Sequence, residues 1–123
     1  MKRDMDFVRE LLIKISDAET ELDADDCFLM NKTKDEVYYH LWILEQAGFI
    51  DCEVFYADNT RYNYTIKGLT WAGQDFLDTM RDARVWNKAK KAIKETVGDT
   101  SMEVIKMACV KTAMQLVNTY LGV

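Results

Sequence analysis

The chain has no proline, one histidine, five glycines and three cysteines in 123 residues. With no proline, no Gly/Ser-rich stretch, no low-complexity tract and no repeat, nothing in it reads as a linker between domains. The single histidine, His40, makes a hydrolytic triad or a His-rich metal site hard to build. Gly48, Gly68, Gly73, Gly98 and Gly122 never fall into a phosphate-loop or dinucleotide spacing, which argues against a nucleotide-using enzyme. Cys27, Cys52 and Cys109 are odd in number, far apart and show no CxxC pairing, so they are expected to be reduced and packed as small hydrophobes. No run of about 18 apolar residues occurs, and the opening MKRDMD is charged where a secretory leader would turn apolar. A cytoplasmic protein without a membrane partner is therefore expected. The acidic residues Glu19, Glu21, Asp23, Asp25 and Asp26 lack the glycine and terminal glutamate of a calcium loop. No metal, no cofactor and no enzymatic activity are expected.

What is present suits one domain over residues 1–123. A 14.3 kDa chain with 49% hydrophobic residues can bury roughly two-thirds of its unfolded surface, which excludes disorder. It is too short for two large lobes with a cleft between them. The net charge of −5 excludes a protein that is basic all over. That charge is unevenly distributed. Residues 1–66 carry 7 Lys+Arg against 15 Asp+Glu, net −8, and residues 67–123 carry 9 against 6, net +3.

Apolar spacing orders the elements. Val8, Leu11, Leu12 and Ile15 follow the i, i+3, i+4, i+7 rule and predict a helix over about residues 3–17. The acidic stretch after it ends in Cys27-Phe28-Leu29-Met30, which suits either a buried strand or a helix fragment. Thr33 with Glu36 forms a capping box, Val37, His40, Leu41 and Leu44 make one apolar face, and Ala47-Gly48 ends the helix. Tyr38, Tyr39, Trp42, Glu45 and Gln46 are left facing outward. Alternation through Ile50, Cys52, Val54 and Tyr56, and again through Tyr62, Tyr64 and Ile66, predicts a β-hairpin with its tip near Asn59. From Thr70 the helical pattern returns. The stripe of Phe76 and Met80 lies roughly 100° from that of Ala89 and Ile93, which predicts a bend or break between Arg81 and Arg84. Gly98 closes that segment, and Thr100 with Glu103 predicts a second capping box for a last helix reaching about Leu121. That helix is apolar on two sides. Ile105, Ala108, Cys109 and Leu116 line one, while Met107, Val110, Met114 and Val117 line the other and form a candidate homodimer interface.

The order helix, strand, helix, hairpin, helix is that of a winged helix. The segment VYYHLWILEQAGFI, residues 37–50, resembles the recognition helix and first wing strand of bacterial winged-helix repressors, which often read V-x-x-H-L-x-x-L-x-x-A-G-L-[IV]. Most of the shared letters are core-facing, so the match speaks to fold more than to function. A second resemblance covers nearly the whole chain. The segments MKRDMDFVRELLIKI, YYHLWILEQAGFI, LTWAGQDFLDTMRDARVWNKAK and SMEVIKMA together resemble the domain-of-unknown-function 2513 family, small proteins of bacteria and their phages. That family implies no assigned activity and no catalytic residues.

The fold expected is a single α+β domain, mainly helical. Residues 1–69 form a winged-helix core with a hairpin wing, and residues 70–123 form two C-terminal helices that brace it or pair two copies. Two functions of different class follow. In the first, a DNA-binding, transcription-regulatory protein contacts duplex DNA through Lys34, Tyr38, Tyr39, Trp42 and Gln46 of the central helix and Asn59, Thr60 and Arg61 of the hairpin tip. Arg84, Lys88 and Lys91 would add phosphate contacts, with Lys90 and Lys94 beside them. In the second, an acidic adaptor binds a protein partner through Tyr38, Tyr39 and Trp42, residue types that dominate interface hot spots. Asp35 and Glu36 in the first turn of the central helix oppose a phosphate backbone and weigh against the first reading.

Overall fold

The computed structural model describes residues 1–57 and 60–123, with the side chains of residues 57 and 60–62 outside that description. Helix α1, Met5–Asp17, begins two residues later than periodicity predicts because Asp4 takes the N-cap, its carboxylate accepting the Phe7 N–H at 3.2 Å. Phe7, Val8, Leu11, Leu12 and Ile15 are all buried. Each such side chain contributes about 1.5–3 kcal/mol of transfer free energy, which fixes the face that α1 presents to the core.

The acidic stretch is more ordered than its composition suggests. Leu22–Asp23 form a short strand, β1, followed by a 3₁₀ turn over Ala24–Cys27 in which the Asp26 carboxylate accepts the Asp23 N–H at 2.9 Å. Cys27-Phe28-Leu29-Met30 is therefore no strand. Cys27 closes the 3₁₀ turn, and Met30 and Asn31 have φ of +57° and +56°, a left-handed reversal that extended pairing excludes.

Helix α2, Lys34–Gln46, carries the predicted capping box. The Glu36 N–H donates to Thr33 Oγ1 at 3.2 Å and the Thr33 N–H donates to Glu36 Oε1 at 3.1 Å. Gly48 stops it at φ +75° and turns the chain into the hairpin β2, Ile50–Ala57, and β3, Thr60–Leu69. The sheet is antiparallel throughout, in the order β1-β3-β2. Leu22 pairs with Ile66, Ile50 with Leu69 and Val54 with Tyr64, with register irregularities after Asp51 and after Phe55. Central strand β3 supplies buried Tyr64 and Ile66, and α1 lies against it.

Helix α3, Trp71–Met80, follows directly. Thr70 ties its start to the end of α2: its hydroxyl donates to the Gly48 carbonyl and accepts the Gly73 N–H at 3.0 Å, while its own N–H donates to the Phe49 carbonyl at 3.0 Å. Gly73 sits so close to Phe49 that a Cβ would stand 2.0 Å from the Phe49 carbonyl oxygen.

The chain divides into two compact units, Met1–Asp75 and Phe76–Val123. In the second, the predicted break is present. Asp82, with extended ψ of 124°, ends α3 and caps α4, Ala83–Thr96, accepting the Arg84 and Val85 N–H groups at 2.8 and 3.3 Å. Helix α5, Met102–Leu121, packs on α4. Its cap differs from the Thr100/Glu103 box expected: Ser101 is the N-cap and its hydroxyl accepts the Val104 N–H at 3.3 Å. The two candidate frames differ by one residue, and burial of Ile105, Cys109 and Thr112 selects the phase of the helix.

Candidate functional site

The face of α2 turned from the core is the surface on which both expected functions depend. Lys34, Asp35, Glu45 and Gln46 are exposed there, so the helix offers one cation and two carboxylates to solvent. Glu36 is committed elsewhere. Its carboxyl is held below the usual range by the bond to the Thr33 N–H, with Lys32 Nζ 3.6 Å away adding to the effect.

Tyr38, Tyr39 and Trp42 depart from expectation: all three are half-buried rather than outward-facing. Tyr38 stands edge-on to Tyr64 of β3, ring centroids 5.5 Å apart, and Lys34 Nζ lies 5.4 Å from its ring. Tyr39 meets His40 edge-on at 5.3 Å and leans on Trp42 at 6.3 Å. The reason is geometric. At 100° per residue, Tyr38 directly follows buried Val37, and a ring of that size reaches the sheet from the helix flank.

His40 is a packing residue, as its place on the apolar face suggests. It is 1% exposed, accepts the Asp4 N–H through Nε2 at 2.9 Å and donates from Nδ1 to the Glu36 carbonyl at 2.7 Å. Those partners fix the neutral Nδ1–H tautomer. Burial pushes its pKa below the ordinary value, outweighing the stabilising bond to Glu36. Asp4 belongs to the same knot. Burial opposes its ionisation, but Lys32 Nζ at 2.6 Å and the Phe7 N–H outweigh burial and hold it below the usual range.

The hairpin exposes two aromatic residues that were not among the expected contact residues, Phe55 and Tyr56, 50% and 66% exposed. Alternation placed Tyr56 with the inward set. The irregularity after Phe55 lies beyond the pair of Val54 with buried Tyr64, and pairing register cannot be read from a strand's own sequence. Asn59 lies outside the described residues, as do the side chains of Thr60 and Arg61.

On α4, Arg84, Lys88 and Lys91 are exposed along one side, with Lys90 and Lys94 also exposed. Arg84 is already paired at the start of its own helix. Its Nη2 and Nε lie 2.9 and 3.2 Å from the Asp82 carboxylate, which Arg84 in turn holds at a pKa of about 2. A contact with phosphate would have to displace that capping acid. Lys88 Nζ reaches Gln115 at 3.5 Å, a contact that leaves its charge intact. On α5, Met107, Val110, Met114 and Val117 are all exposed, opposite the buried side.

Two further surfaces are notable. A 630 Å³ depression is lined by Asp6, Glu10, Phe28, Leu29 and Met30. Cys52 Sγ donates to Glu45 Oε2 at 3.2 Å, and burial followed by that carboxylate raises its pKa to about 12. Among the described residues, no three His, Cys, Asp or Glu side chains gather where they could hold a metal ion, and no helix is long and apolar enough to cross a membrane.

The comparisons agree with the sequence resemblance. The family model described as "Hypothetical protein (DUF2513)" matches residues 2–99. An uncharacterized protein of Haemophilus influenzae is 32% identical over 110 residues, covering 86% of this chain and 90% of that protein. No solved structure matches. Helices α1 to α4 fall within the matched span and α5 lies beyond it, and on the extent of that match the chain belongs to the DUF2513 family.

Proposed function

We propose that the chain is a winged-helix-like regulatory protein that contacts duplex DNA, with its phosphate contacts drawn from α4. The observation that carries this reading is the sheet order β1-β3-β2, with β1 between α1 and α2 and with α2 leading directly into the hairpin. That order is similar to a winged helix, in which α2 would be the groove-facing helix and β2-β3 the wing. The exposed lysines Lys88, Lys91 and Lys94 give α4 positive charge of its own. The test is binding to mixed-sequence duplex by fluorescence anisotropy across a salt series. Three phosphate contacts give a log–log slope of about −2.7, and the double substitution K88E/K91E reduces its magnitude by about 2. Absence of binding at low salt overturns the reading.

A second reading, a protein-binding adaptor on the same frame, is favoured by the exposed Phe55 and Tyr56 beside a net −8 stretch of chain. Aromatic rings suit protein interfaces, whereas carboxylates on α2 repel phosphate. It predicts a partner that co-purifies from the native host and is lost with Tyr56→Ser while the fold is retained. An unchanged set of partners counts against it.

A further inference from the structure

The sheet order β1-β3-β2 leaves β2 at one edge, and among the described residues no strand pairs with its outer side. Alternate residues of Ile50–Ala57 therefore turn their backbone N–H and C=O groups away from β3. Sheet edges are commonly blunted by proline, by lysine, by a bulge or by shortness. Strand β2 has none of these. It runs eight residues, longer than the usual strand of about five or six, and its sequence IDCEVFYA holds neither proline nor lysine. Both register irregularities fall on its neighbour. Pairing passes from Gly68 to Ile66 and from Asn63 to Arg61, so the extra residues, Lys67 and Tyr62, belong to β3 and β2 itself is unbroken.

The solvent face beside that edge is acidic. Asp23 and Glu53 flank Thr65 in one row across the three strands. Lys67 Nζ lies 2.8 Å from Glu53 Oε1, and Glu53, then Asp51 and Glu21, hold its pKa above the ordinary value. One cation is thus shared among several carboxylates, all of them exposed. Unbroken alternation places Phe55, also exposed, on the same face as Asp51 and Glu53.

We infer that the outer edge of β2 accepts an extended, basic segment of a partner protein as a fourth strand. Main-chain hydrogen bonds supply affinity for an extended chain, and side chains on alternate residues decide which chain fits. Lysine or arginine at two successive alternate positions would meet Asp51 and Glu53, with an aromatic ring at the next against Phe55. A second copy is the wrong occupant, because pairing through β2 sets two acidic strands side by side. Duplex DNA does not suit this face either, since its charge repels phosphate. The inference rests on the adaptor reading and gives that partner a chemistry.

The test titrates the isotope-labelled full chain with a blocked heptapeptide, Thr-Tyr-Val-Lys-Val-Lys-Thr, and follows amide shifts by NMR. The shifts should centre on β2, and D51N/E53Q should weaken binding about tenfold with an unchanged circular dichroism spectrum. N-methylation of the peptide at one alternate set of amides should abolish binding, while methylation of the other set should leave it, because only one set faces β2. Equal binding by both methylated peptides reduces the contact to charge attraction and overturns the inference. No binding at millimolar peptide, or shifts centred elsewhere, overturns it too. A host partner lost with Tyr56→Ser, while the peptide fails to shift β2, retains the adaptor reading and overturns the strand docking.

Discussion

His40 accepts the backbone N–H of Asp4 through Nε2 at 2.9 Å, joining the core face of α2 to the cap of α1 across 36 residues of sequence. The bond requires an unprotonated nitrogen. Protonation would turn the acceptor into a second donor facing the Asp4 amide, in a site that excludes water.

Stability should therefore depend on pH through this group. Its folded pKa lies below the unfolded value near 6.5, so the unfolded chain binds the proton first as pH falls. The contribution is complete above pH 6.5 and is lost as pH falls from there toward the folded value, at up to about 1.4 kcal/mol per pH unit. The Asp4, Lys32 and Glu36 charges also face the imidazole, so the control is His40→Gln, which cannot titrate. Urea unfolding at intervals between pH 8 and 5 should show this slope in wild type. In His40→Gln the slope should be absent in the upper part of that range.

Gly73 should not tolerate alanine. In an open helix the exchange gains about 1 kcal/mol, but here the new Cβ meets the Phe49 carbonyl oxygen, which is itself held by the Thr70 N–H. Overpacking against backbone costs about 1–3 kcal/mol, so the sign reverses. Thermal unfolding should fall by several degrees in Gly73→Ala. Gly68→Ala, where an added Cβ meets nothing within 4 Å, should shift it much less.

The cap of α5 separates two frames one residue apart. Ser101→Ala removes the acceptor for the Val104 N–H and should cost about 1 kcal/mol, whereas Thr100→Ala should cost less. The reverse ranking, measured by chemical denaturation, would restore the Thr100/Glu103 box.

The thiols should be unreactive in the native state. Burial raises Cys27 and Cys109 to about 11 each, and burial with the Glu45 carboxylate raises Cys52 to about 12. The thiolate is the reacting species, so alkylation by iodoacetamide at neutral pH should be far slower than in denaturant for all three sites. Substituting Glu45→Gln should accelerate labelling of Cys52 alone.

Local signals carried much of this molecule. The Thr33/Glu36 box, the Gly48 stop, the break between Arg81 and Arg84 and the buried faces of α1 and α2 all follow from side chains acting within one or two turns. The family could also be recognised from four segments of the chain. Tertiary structure decided what depends on distant partners. Leu22 becomes a strand only because Ile66 offers it an edge, and Tyr38 is drawn in because Tyr64 stands within reach. Helical periodicity shows which faces of α5 are apolar, but burial distinguishes the stripe the chain covers from the one it leaves exposed. Pairing register and coverage are properties of two surfaces at once, and no single segment's pattern contains its partner.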